Sequence, residues 1–238
     1  MLRFMTAGES HGPCLTAILE GIPAGVRIDA VRVNRELARR QEGVGRGGRM
    51  KIEQDRADFL SGLRFGETLG SPITLRITNA DWVNWETKMA AFGDKTGPTV
   101  DAPRPGHADL TGCLKYDRED VRDILERASA RETAARVAVG AVCRQVLEKC
   151  GIVVQSRVLS IGGATTDEEQ AAKVAAAKAA GDTLVGCFEV TSTGVMPGLG
   201  SHIQWDCRLD GKIAGAILSI PAIKGVEIGA GFNCAILP

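Results

Sequence analysis

The chain has 238 residues, with 29 Lys+Arg against 29 Asp+Glu and 44% hydrophobic residues, enough to bury a core. Zero formal net charge excludes a global field suited to nucleic acid or a membrane surface, and no apolar run reaches the roughly 20 residues that span a bilayer. Seven cysteines, an odd number without a C-x-x-C pair, exclude a disulfide framework and a zinc ribbon. With no basic-then-apolar signal pattern, a soluble cytoplasmic protein is expected.

Residues 2–7 (LRFMTA) and 15–21 (LTAILEG) read as strands. Asp29 caps a helix expected through Arg40, with Val33 and Leu37 four apart on one face. Residues 71–79 (SPITLRITN) form another strand. The clearest helix is expected to begin at Ser129. There SARE reads as a capping box, the Ser129 hydroxyl accepting from the Glu132 amide while Glu132 reaches back. It runs through ARVAVGAVCRQVLEK and stops at Gly151, a residue suited to left-handed backbone. Strand-like residues 151–163 and 184–195 flank a helix, DEEQAAKVAAAKAA, whose early acids and later lysines follow the macrodipole, with Gly181 at its end. A further helix covers Asp210 to Ser219, and GVEIGAGF (225–232) again reads as a strand. Without an internal repeat or long linker, residues 1–238 are read as one α/β or α+β domain. The apolar stretch GVEIGAGFNCAILP has no covering helix after it, so the domain is expected to be C-terminally truncated.

Four stretches carry candidate chemistry. From Arg32 to Lys51 seven basic residues face two acids, Glu36 and Glu42, so an anion is the natural partner. Within it, GVGRGG (43–48) matches G-x-G-x-x-G but follows an Arg-rich helix, with the strand-like RMKIEQD after it. A dinucleotide site needs the reverse order, strand then helix. A glycine loop converging Arg40, Arg46 and Arg49 on an anion is one reading, and a solvated basic face is the other. GESHG (8–12) holds Ser10 and His11 outside any nucleophile elbow, and three histidines without an i,i+4 pair form no metal set. Acid–base work by His11, or a plain turn with an exposed histidine, remains. In RPGHADLTGCLKY (104–116), Pro105 and Gly106 hold Arg104 and His107 in a turn, with Asp109 near enough to orient the ring or pair with Arg104. The bland alternative is a histidine bonded to a backbone carbonyl. ERASARET (126–133) sets Arg127 and Arg131 around a helix start, a place for a phosphate or simply a capped helix. His202 has no charged company and is read as structural.

Together TAGESHG, GRGGRMKIEQD, RPGHADLTGCLKYD, RASARETAARVAVGA and SIPAIKGVEIGAGF resemble the chorismate synthase family. The resemblance implies an α+β fold, a β-α-β sandwich with helices packed on antiparallel sheets, its C-terminal part missing here. It implies a lyase of aromatic amino-acid biosynthesis, the last step of the shikimate pathway. That lyase removes phosphate and a ring proton from 5-enolpyruvylshikimate 3-phosphate in a 1,4-anti elimination, giving chorismate. It also implies reduced FMN as cofactor, NADPH in bifunctional members, and a homotetramer. By resemblance His11 protonates the leaving phosphate and His107 holds the flavin in its charge state. Ser10, Arg40, Arg46, Arg49 and Arg131 bind substrate. Arg40, Arg46, Arg127, Ala128, Ser129, Pro221 and Ala222 contact the cofactor. Segments found later in the family supply more of the flavin cradle, so weak FMN binding and inactivity are expected of this chain. The alternative is a non-catalytic anion- or nucleotide-binding fragment or an assembly module.

Overall fold

A computed structural model describes residues 2–43 and 52–237. In chain order it contains β1 (Arg3–Ala7), β2 (Cys14–Glu20), α1 (Ala30–Gln41), β3 (Ala57–Ser61), β4 (Leu63–Arg64), β5 (Glu67–Thr68) and β6 (Ile73–Thr78). Then follow α2 (Asp109–Tyr116), α3 (Arg122–Leu125), α4 (Thr133–Lys149), β7 (Val153–Ile161), α5 (Asp167–Ala179), β8 (Gly186–Thr193) and α6 (Leu209–Leu218). Single 3-10 turns stand at Ala80–Asn84, Ala130–Glu132, Trp205–Cys207 and Gly231–Ala235.

Period-two alternation decides which way the main sheet faces. Its order is β1-β2-β6-β3, antiparallel throughout. The register sets Leu15 opposite Ile77, Ala17 opposite Leu75 and Leu19 opposite Ile73, and Ala57 and Phe59 of β3 continue two of those rows. All six of the paired residues in β2 and β6 are buried, whereas Thr16, Ile18, Thr74 and Arg76 point to the other face. Against the apolar face lie α1, through Val33 and Leu37, and α4, through Ala134, Ala135, Ala138, Ala141 and Val142. Alanines on α4 let its backbone approach the sheet closely, which explains how a chain so poor in aromatics closes its core. β7 and β8 form a separate antiparallel ribbon. The expected α+β class, with helices on antiparallel sheets, is what the structure contains.

Several local expectations need correction. At Ser129 the hydroxyl accepts from the amide of Arg131, not Glu132, and the Glu132 amide donates to the Ser129 carbonyl. The Glu132 carboxylate does not reach back, because Arg136 one turn on and Thr6 of β1 hold it. No capping box forms, and the helix opens through a 3-10 turn. RMKIEQD shows no strand in its described residues 52–55. The Gln41 side chain bonds the Glu53 carbonyl and the Asp55 amide, taking the place of a partner strand. GVEIGAGF is not a strand either, for Gly229 and Gly231 have φ of 64° and 54°, outside the extended region. The short strands β3, β4 and β5 lie outside the expected set. β4 and β5 turn through Phe65 and Gly66, both with positive φ. The other expected helices appear within a residue or so: α1 with Asp29 as its cap, α5 and α6.

Leu37 is fully buried between α1, α4 and the sheet. Leu37→Ala is expected to cost about 2–5 kcal/mol, read as a lower urea midpoint with an unchanged slope.

Candidate active site

Residues 8–13 cross from β1 to β2 and carry His11. Gly8 has a φ of 107°, and a side chain there would press into the Cys14 carbonyl, so only glycine lets the loop fold back on β2. Asn79, buried at the end of β6, donates its amide to the carbonyls of Gly12 (2.7 Å) and Glu9 (3.3 Å), which sets the loop from below. From the side, the turn before α4 grips it. The Ser10 amide donates to the Glu126 carbonyl, and the Ser10 and Ser129 hydroxyls lie 3.2 Å apart. The Glu126 carboxylate accepts from the His11 amide at 2.8 Å and lies 2.9 Å from the ring Nδ1. Trp85 stacks on the imidazole with centroids 3.9 Å apart. His11 is therefore fixed at backbone and ring, while part of the ring stays open to solvent.

Beneath this loop lies a buried ion cluster. Arg131 donates to both Asp55 oxygens at 2.7 Å, to the Asn79 carbonyl oxygen at 3.0 Å, and stands 3.6 Å from Glu53. Glu53 in turn accepts from the Ala80 amide. Arg40 of α1 bonds the Thr133 hydroxyl and the Ala130 carbonyl, with Asp55 at 3.6 Å. Bidentate, charge-assisted contacts offset the desolvation of these groups. Arg131, expected to bind substrate, is thus enclosed by protein carboxylates and reaches the His11 loop through Asn79.

Arg127 is more open. It bonds the Thr6 hydroxyl at 2.7 Å and the Thr6 carbonyl at 3.0 Å, with Glu132 at 3.8 Å. Ala128 and Ser129 are half-buried beside it. Glu132 also pairs with Arg136, whose other arm donates to Ser219 at 2.8 Å. That bond brings the end of α6 to the same neighbourhood, and with it the turn of Pro221 and Ala222. Ala222 has a φ of 70°, a strained value for a non-glycine residue. Guanidinium, hydroxyl and helix-start amides dominate this set, and its acid, Glu132, is neutralised. Such donors fit an anionic, hydrogen-bonding ring system such as a flavin phosphate ester.

His107 is exposed, its Nδ1 3.1 Å from the Pro105 carbonyl, in a turn that Gly106 permits with a φ of 72°. Asp109 does not orient the ring; it pairs with Arg104 through both oxygens at 2.8 and 2.9 Å. The Arg104 bonds hold the Asp109 carboxyl below the usual carboxylate range, against burial, which pushes it up. The Asp109 bonds, with a lesser contribution from the Glu126 charge, hold the Arg104 guanidinium above its usual range against burial. Arg46, Arg49 and most of the glycine loop lie outside the described residues. His202 is exposed, with no role in this arrangement.

The structure adds residues that the sequence reading did not select: Glu126, Trp85, Asn79, Asp55 and Glu53. Glu126 stands inside ERASARET, yet no spacing rule joins position 126 to position 11. Trp85 offered only a mid-chain aromatic. Glu53 and Asp55 look like ordinary surface acids in the sequence; only their burial in the fold shows that they demand a cation.

Comparisons with known proteins agree with this fold. The sequence model of the family described as chorismate synthase matches residues 2–238. Chorismate synthase from Sulfurihydrogenibium sp. (strain YO3AOP1) is 54% identical over 268 residues, covering 100% of this chain and 69% of that protein. The Aquifex aeolicus (strain VF5) enzyme is 53% identical, covering 98% of this chain and 68% of its own length. A crystal structure of chorismate synthase superposes with a TM-score of 0.80 at 44% identity, over 99% of this chain and 70% of that one.

Two outcomes follow from the ion pairs. Arg131→Ala removes the closest cation from the buried Asp55 carboxylate, leaving Arg40 at 3.6 Å, and is expected to cost about 3–5 kcal/mol in urea unfolding. Asp109 sits below its ordinary 3.8, so its pairing stabilises the fold above that pH and the gain is lost as pH falls through the folded value. The stability gap between the protein and Arg104→Gln is therefore expected to be steady near neutrality and to shrink below about pH 4.

Proposed function

The chain belongs to the chorismate synthase family, and from that premise we propose how its own residues serve the family's 1,4-anti elimination. In that reaction the C–O bond to phosphate breaks and a ring proton leaves. The electrons of the C–H bond become the new double bond, with no net redox change. Reduced FMN, when held by the residues around Arg127, would supply an electron-rich ring. The observation that carries the reading is the match along residues 2–238, which spans the His11 loop, the His107 turn and the start of α4 together. A non-catalytic anion-binding module is not favoured, because such a module needs only the arginine loop.

In this reading His11 gives a proton to the departing phosphate, whose developing charge would otherwise oppose bond breaking. Ser10, beside it, hydrogen-bonds substrate, and Arg40, Arg46 and Arg49 balance the phosphate and carboxylates. Arg131 keeps its place in the substrate set as the residue that anchors the loop from below. His107, Arg127, Ala128, Ser129, Pro221 and Ala222 form this chain's share of the flavin contacts, consistent with the donor-rich surface around Arg127. No helix among the described residues is long and apolar enough to cross a membrane, which suits a cytoplasmic homotetramer of the family type.

In a version extended to the length of the relatives, reduced FMN at saturating concentration is expected to change its absorbance when 5-enolpyruvylshikimate 3-phosphate is added. Identical spectra with and without the ester would refute the assignment of a joint site. His11→Ala and His107→Ala, each in a version extended to the length of the relatives, should lower turnover by about 10²-fold with little change in melting temperature. Turnover equal to the parent's would remove their acid–base roles.

A further inference from the structure

We infer that Glu126 is a positioning residue for His11, fixing the ring proton on Nδ1 and leaving Nε2 as the nitrogen that exchanges the proton of the reaction. The inference rests on the assignment of His11 as the acid. Nδ1 lies 2.9 and 3.0 Å from the two Glu126 oxygens. A carboxylate only accepts, so Nδ1 must carry hydrogen whether the ring holds one proton or two. The alternative tautomer would set a nitrogen lone pair against the carboxylate. Among the described residues no other side chain is recorded hydrogen-bonding this ring.

Glu126 suits the task because its own ionisation is secured. Burial pushes its carboxyl up, but the His11 bonds and the charges of His11 and Arg122 outweigh burial and hold it below its ordinary 4.5. Arg122 donates to one oxygen at 3.1 Å, and the His11 amide donates to the other at 2.8 Å. Each oxygen thus already faces an N–H donor. Trp85 closes one face of the imidazole and resists a ring flip, its own Nε1 tied to Asp81 at 3.0 Å. The charged groups around the pair are Arg122 and Lys88, both against the Trp85 ring, with Asp81 behind it and Arg104 within the field of Glu126. When Nε2 takes a second proton, the contact becomes an ion pair whose carboxylate is almost wholly withdrawn from water.

The test joins a spectroscopic and a kinetic readout. In this chain labelled with ¹⁵N-histidine, the His11 ring is expected to show a protonated Nδ1 and a bare Nε2 at high pH. Glu126→Gln must turn its NH₂ toward one of two existing donors, so the preference should be lost or reversed. Glu126→Asp, which keeps the charge, should retain it. A protonated Nε2 in the unsubstituted chain, or an unchanged tautomer in Glu126→Gln, would overturn the inference. If Glu126→Gln does not fold, the spectra of the unsubstituted chain and of Glu126→Asp decide alone. In a version extended to the length of the relatives, Glu126→Gln should lower kcat by about 10²-fold with KM within about threefold. Glu126→Asp should recover part of the kcat. A KM that rises as much as kcat falls would mark a merely structural residue and overturn the positioning role. Absence of turnover in the extended parent, with the tautomer as expected, would count against the assigned reaction while supporting the hold of Glu126 on the ring.

Discussion

One guanidinium organises the site. Arg131 lies where four separate pieces of chain meet: the start of α4, the segment at residues 53–55, the end of β6 and, through Asn79, the His11 loop. None of these pieces adjoins another in sequence; α4 and β6 are held by the apolar core, whereas residues 53–55 and the His11 loop contribute none of its buried hydrophobic residues. A buried ion pair is a weak source of net stability but a strong source of specificity when it fixes register between elements. Here the geometry of a planar fork selects one arrangement of four segments, and the functional loop inherits that arrangement.

The same economy governs the basic residues. The stretch from residue 32 to 51 reads as a cationic surface, yet within the fold Arg32 meets Glu148, Arg39 meets Glu36, and Arg40 approaches Asp55. Two of those three acids lie far from their arginines in sequence or beyond the stretch counted. Local charge excess in a sequence therefore overstates the field left for a ligand, because the fold supplies much of the counter-charge itself. Arg127, only partly neutralised, is the more open cation among the described residues of the site.

What was legible in the sequence divides along the range of the interactions. α1, α5 and the main strands follow from caps and from periods of 3.6 and 2, which neighbouring residues fix among themselves. The capping box at Ser129 failed because Glu132 had stronger partners in Arg136 and in Thr6, the latter 126 residues away. The β4–β5 turn escaped notice because Phe65 takes a backbone shape normally left to glycine or asparagine. At the site, His11 and His107 stand in glycine-flanked turns that drew the reading to them, and ERASARET did so through arginines set around a helix start. Glu126 and Trp85 do not, since their importance lies entirely in what the fold sets beside them. The family resemblance supplied roles that no local pattern contained.

The bond from Arg136 to Ser219 has a consequence for the order of assembly. Its partners stand 83 residues apart, and Glu132 on the same arginine already grips β1. During synthesis the sheet, α1 and α4 can close around their common core while residues beyond 200 are still emerging. The turn carrying Pro221 and Ala222 arrives afterwards and docks on a surface that is already finished. The surface around Arg136 thus gains this turn late, so an interruption of synthesis between residues 149 and 219 leaves the core of sheet, α1 and α4 without it.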